Sequence, residues 1–80
     1  MTNNIKPVEI VLHIDENLQI KQINRLESLL ASDTGVTDVR VNLKRNHLML
    51  VDYIPGVVTA RQVLTYVRNR GYHAELVGGW

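Results

Sequence analysis

From Val8 to Asp15 the chain alternates with period two. Val8, Ile10, Leu12 and Ile14 fall on one side, and Glu9, Val11, His13 and Asp15 on the other, as in a strand with one buried face. The aliphatic side is unbroken, so the pattern predicts a central strand. The spacing then changes to three and four: Ile20, Ile23, Leu26, Leu29 and Leu30 recur among Lys21, Gln22, Asn24, Arg25, Glu27 and Ser28. That is an amphipathic helix for packing on a sheet. Asp15-Glu16-Asn17 is expected to cap it and to supply early negative charge. Gly35 is the expected left-handed exit.

Alternation returns over 36–42, with Val39, Val41 and Leu43 opposed to Asp38, Arg40, Asn42 and Lys44. The short polar run Lys44-Arg45-Asn46 suits a hairpin loop. A third strand is expected over 47–54, ended by Pro55-Gly56. Alternation there assigns Leu48, Leu50 and Ile54 to the core and turns His47, Met49, Val51 and Tyr53 outward. Thr59 and Gln62 have capping-box spacing, and Val58 with Val63 fits a hydrophobic staple. Val63, Leu64 and Val67 then form the buried stripe of a second helix, with Arg61, Arg68 and Arg70 solvated and Gly71 as terminator. A last strand is expected over 72–77, with Ala74 and Leu76 inward and His73, Glu75 and Val77 outward. Residues 1–7 read as a leader and 78–80 as a flexible tail of one domain spanning 1–80.

Strand, helix, strand, strand, helix, strand is the order of a ferredoxin-like α+β sandwich: a four-stranded antiparallel sheet with both helices on one face. Right-handed crossovers place the first strand between the third and the fourth. His13 near the end of the first strand, His47 at the start of the third and His73 at the start of the fourth then share one end of the helix-free face. Strands about 4.8 Å apart allow three imidazoles to converge on one ion at roughly 2.0–2.1 Å per nitrogen. Glu75 and Asp15 are candidate oxygen ligands, or carboxylates that orient a ring. Neutral imidazole suits Cu(II), Zn(II), Ni(II) or Co(II).

Composition narrows the function further. Eighty residues, 45% of them hydrophobic and carrying a net charge of +1, form one modest core and give no general attraction to nucleic acid. The chain has no cysteine, which removes disulfides, thiolate metal sites and thiol nucleophiles. No apolar run reaches the length of a membrane span, and a soluble cytoplasmic protein is the expectation. RNA-binding sheets stack bases on aromatics of the central strands; here those positions hold Val11, Met49 and Val51, so nucleic acid is not the expected partner. No nucleophile–base pair or phosphate loop is evident, so the chain reads as a non-enzyme. Val11, Met49, Val51 and Val77, flanked by Tyr53, would form an apolar strip on the open face. That strip supports the alternative of a homodimer or protein-docking module, with or without metal.

The chain resembles the heavy-metal-associated domain family of copper chaperones and metal-pumping P-type ATPases over roughly residues 8–78. The resemblance rests on Glu9-Ile10-Val11-Leu12, on Gly35-Val36 and Asn42-Leu43 around the second strand, on the run from His47 to Tyr53, and on Gly71-Tyr72. It implies this same scaffold, with a metal-bearing loop after the first strand. That family's loop reads M-x-C-x-x-C, whereas Leu12-His13-Ile14-Asp15-Glu16-Asn17 stands here, with Ile14 and Asn17 in place of thiolates. The resemblance therefore does not extend to Cu(I) exchange between thiolates. It also places Tyr72 near the metal loop, in a position to support a ligand or a partner.

Overall fold

The computed structural model describes residues 6–41 and 47–78. Most of the expected leader, the hairpin residues from Asn42 and Leu43 through Lys44-Arg45-Asn46, and Gly79-Trp80 lie outside the described residues. The elements follow in the order β1 (Val8–Ile14), α1 (Ile20–Ala31), β2 (Val36–Val41), β3 (Leu48–Tyr53), α2 (Ala60–Arg68) and β4 (Ala74–Gly78). They form one antiparallel sheet of order β2-β3-β1-β4. β1 is the central strand that its unbroken aliphatic side predicts, and Ile10, Leu12 and Ile14 are fully buried.

The helices begin where side chains can close their free N–H groups. In α2 the capping box forms as the spacing predicts: Gln62 N–H donates to Thr59 Oγ1 at 3.0 Å, and Thr59 N–H to Gln62 Oε1 at 2.9 Å. Val58 and Val63 lie in the common core. α1 starts later than expected. Its cap is Gln19, whose N–H donates to Gln22 Oε1 at 2.8 Å, and its first turn holds no acidic residue. Asp15 and Glu16 therefore lie in the loop before the helix and are free for other partners. Ile23, Leu26 and Leu30 are buried as the spacing predicts, but the late start changes what precedes them. Leu18 tucks under from the loop and is buried, whereas Ile20, expected in the core, is 70% exposed.

The faces of β3 are the reverse of the alternation argument. Met49 and Val51 are fully buried and Tyr53 nearly so, while Leu48 and Leu50 are half-buried on the open face. Pairing with β1 decides this. Leu12 lies opposite Met49, Ile10 opposite Val51 and Val8 opposite Tyr53, and paired residues share a face. Both faces of β3 are apolar, so alternation has no preference to express, and a one-residue slip in register exchanges the two sets. Met49, Val51 and Tyr53 are thus core residues rather than members of an open-face strip.

Glycine at position 35 is required by space, not by torsion. Positive φ occurs only at Gly56 and Gly71 among the described residues. A Cβ on Gly35 would lie 2.6 Å from Val58 Cγ1 and 2.9 Å from Val58 Cβ. The bare backbone allows the β3–α2 connection to close over the α1–β2 turn, where Ile54 N–H donates to the Gly35 carbonyl at 2.7 Å. Gly71, with φ of 92°, is the terminator expected after α2.

Candidate functional site

β1 and β4 pair with His13 opposite Glu75 and Ile14 opposite Ala74. Residues that face each other share a side of the sheet, so His13 and Glu75 both stand on the helix-free face. Asp15 follows one turn of the pleat later, where the chain leaves the strand; its N–H donates to the His73 carbonyl at 2.8 Å. The result is a small cluster at one end of the sheet. One potential ligand atom from each of His13, Asp15 and Glu75 lies within 4.8 Å of the others. His13 Nδ1 is 3.3 Å from Asp15 Oδ1. Two donors on one ion at roughly 2.0–2.2 Å each are at most about 4.4 Å apart. The observed separations are therefore close to those that two donors on one cation would require.

His47 stands beside this group. Its ring stacks on that of His13, with centroids 5.7 Å apart and planes 17° from parallel. Its Nδ1 is 2.7 Å from the Ile14 carbonyl oxygen. A carbonyl only accepts, so Nδ1 carries a proton, and in the neutral ring Nε2 is then the nitrogen with the lone pair. The Ile14 N–H in turn donates to the His47 carbonyl at 2.7 Å, which fastens the end of β1 to the start of β3.

His73 is placed elsewhere. Glu16 takes its backbone N–H at 2.9 Å through Oε1 and its ring Nδ1 at 2.7 Å through Oε2. The His73 side chain is 79% exposed. The ring hydrogen bond, and secondly the backbone one, hold the Glu16 carboxyl below its ordinary value. The same ring bond, reinforced by the Glu16 charge, raises the His73 imidazole above its ordinary value. The three histidines expected to converge therefore do not gather at one point. His13 joins two carboxylates, His47 stacks beside it, and His73 pairs with Glu16. No spacing rule exposes the last pairing, because 57 residues separate its partners.

The opposite end of the open face has different chemistry. Arg40 pairs with Glu9, lies 3.2 Å from Asp38, and reaches Asp52 at 3.4 Å. Three carboxylates around one guanidinium hold its pKa above the ordinary value, chiefly through the Glu9 hydrogen bond. Between the two ends, Val11 lies opposite Leu50, His13 opposite Leu48, and Val77 is 48% exposed on β4. The apolar strip of the open face thus consists of Val11, Leu48, Leu50 and Val77.

The loop after β1 tests the thiolate chemistry of the resembled family directly. Ile14 is fully buried, and neither it nor Asn17 offers a soft donor. These residues do not fit Cu(I) held by sulfur. Imidazole and carboxylate fit a borderline divalent ion instead.

No family model matches the sequence. No curated protein matches it in sequence. Solved structures do match in three dimensions. The N-terminal domain of a potential copper-translocating P-type ATPase from Bacillus subtilis, in its Cu(I)-loaded state, is 23% identical. It superposes with a TM-score of 0.81 over 92% of this chain and 91% of its own. The yeast copper transporter domain Ccc2a is 22% identical, with a TM-score of 0.80 over 91% of this chain and 99% of its own. Oxidized MerP from Ralstonia metallidurans is 11% identical, with a TM-score of 0.78 over 90% of this chain and 99% of its own. At these identities the likeness is one of fold. The chain has the fold of the heavy-metal-associated domains, in a form without cysteine.

Proposed function

We propose that the protein binds a divalent transition-metal ion, Cu(II), Zn(II) or Ni(II), through His13, Asp15 and Glu75, as a small carrier or sensor. The observation that carries this reading is the convergence of one imidazole and two carboxylates within 4.8 Å at the end of β1. Its position adds support. Asp15 belongs to the loop that bears the metal in the resembled family, and the structural neighbours include domains described as copper-binding. One nitrogen and two oxygen donors form a harder set than two thiolates, which favours the divalent ions over Cu(I). His47, whose neutral ring would offer Nε2, stands next to the cluster as a further donor.

Isothermal titration calorimetry on untagged protein at neutral pH, with each of the three ions, tests the reading. One ion per chain at micromolar affinity, lost in His13→Ala and weakened in Glu75→Gln, is the expected result. Absence of binding, or binding indifferent to both substitutions, overturns it.

The apolar strip of Val11, Leu48, Leu50 and Val77 favours a second role for the same face, as the contact of a homodimer or docking protein. Sedimentation of wild type and Leu50→Asp separates the two roles, because Leu50 is absent from the metal cluster. Self-association that Leu50→Asp abolishes, with metal affinity intact, supports this role; a monomer at all concentrations removes the homodimer.

A further inference from the structure

α1 has a surface that neither the sheet nor the metal cluster uses. Asn24, Arg25, Ser28 and Leu29 line one wall of an open groove of about 710 Å³, and Arg70 and Tyr72 line the other. The volume lies in the range of small-molecule sites, roughly 300–1,000 Å³. Among the described residues no carboxylate lines it. Its two guanidiniums are unlike those of Arg40 and Arg68. Arg40 is surrounded by three carboxylates, and Arg68 donates from Nε to the Ala74 carbonyl at 2.9 Å. Arg25 and Arg70, like Arg61 outside the groove, have no side-chain partner among the described residues, and only these two meet at one groove.

We propose that this groove is a binding site for a small organic phosphate, with Arg25 and Arg70 gripping the oxyanion and Tyr72 and Leu29 covering its apolar body. Guanidinium forks match phosphate oxygens in pairs and bind them more strongly than neutral donors do. Asn24 and Ser28 add neutral polar contacts on the α1 wall, and the Tyr72 ring offers a flat apolar surface. The two walls come from α1 and from the turn between α2 and β4, so only the folded chain assembles the site. Tyr72 also lines the smaller cavity that holds Asp15, His73 and Glu75. The groove is a neighbour of the metal cluster but shares none of its proposed ligands, and it does not depend on the metal reading.

The test is a titration of isotope-labelled protein, freed of metal on a chelating resin, with phenyl phosphate at about 0.15 M salt, followed by amide chemical shifts. Saturable shifts confined to residues 24–29 and 70–72 are expected, with phenol alone giving none. Arg25→Gln and Arg70→Gln should each weaken binding by about fivefold, the scale of one half-exposed charge contact. Arg61→Gln, outside the groove, should leave the affinity within about twofold. All three side chains are exposed, and the dispersion of each variant's spectrum confirms that it is folded. Shifts that spread over Arg40, Arg61 and Arg68 without saturating, affinity retained in the Arg25→Gln/Arg70→Gln double variant, or equal binding of phenol, each overturn the proposal.

Discussion

Glu16 holds His73 at two atoms, one carboxylate oxygen on the backbone N–H at 2.9 Å and the other on ring Nδ1 at 2.7 Å. This pairing ties the loop after β1 to the entrance of β4 and keeps one imidazole out of the cluster of His13, Asp15 and Glu75. His73→Ala should therefore change the affinity for a divalent ion by less than about threefold, whereas His13→Ala should lower it by about tenfold or more. Calorimetric titration of the two variants side by side checks the order. Equal losses would mean that His73 rotates away from Glu16 to ligate.

The same pair gives stability a defined pH dependence. The His73 pKa is raised, so its contribution is fully present below 6.5 and is lost as pH rises through the higher folded value. The Glu16 pKa is lowered, so its contribution is present above 4.5 and is lost as pH falls through the lower folded value. Both act together between about pH 4.5 and 6.5. Wild type should exceed Glu16→Gln in thermal midpoint by more at pH 5.5 than at pH 8. Both groups are solvent-exposed, so the margin should be small and should shrink in high salt. Metal-free protein is required, because Asp15 and Glu75 lie close by.

The register between β1 and β3 is open to a direct contrast. Met49 is fully buried, and Leu50 is half-buried on the open face opposite Val11. Met49→Ala should destabilise by about 2–5 kcal/mol, the usual scale for a buried large-to-alanine change. Leu50→Ala should cost clearly less, about 1 kcal/mol. Urea unfolding curves of the two variants decide the matter. The reverse order would place Leu50 in the core.

Two glycines should respond to alanine for different reasons. At Gly35 the new Cβ meets Val58 at 2.6 and 2.9 Å, so Gly35→Ala should cost about 1–3 kcal/mol through overpacking. Val58→Ala in the same chain should return part of that loss, since the obstructing methyls are gone. At Gly71 nothing lies within 4 Å of an added Cβ, and only the positive φ resists it. Gly71→Ala should then cost about 1–2 kcal/mol with no compensating partner. Double-mutant unfolding measurements distinguish the two mechanisms.

Much of the scaffold was legible along the chain. The alternation of Val8 to Ile14, the three-four spacing of Ile23, Leu26 and Leu30, and the Thr59–Gln62 capping box each lead to the observed element, because each depends on neighbours within a few residues. The order of elements then restricts topology to the sheet that forms. The absence of cysteine also belongs to the sequence, and it removes thiolate ligands from this chain.

Tertiary structure decided the rest. β3 has apolar residues on both faces, so only its register with β1 chooses Met49 and Val51 for the core and Leu48 and Leu50 for the open side. The late start of α1 at Gln19 releases Asp15 and Glu16 from capping, and Glu16 then pairs with His73 at the entrance of β4 while Asp15 stands beside His13. His13, Glu75 and Asp15 come together because antiparallel pairing of β1 with β4 brings residues some sixty positions apart to the same row. Local pattern sets which face of the chain is apolar; pairing between strands sets which polar groups meet.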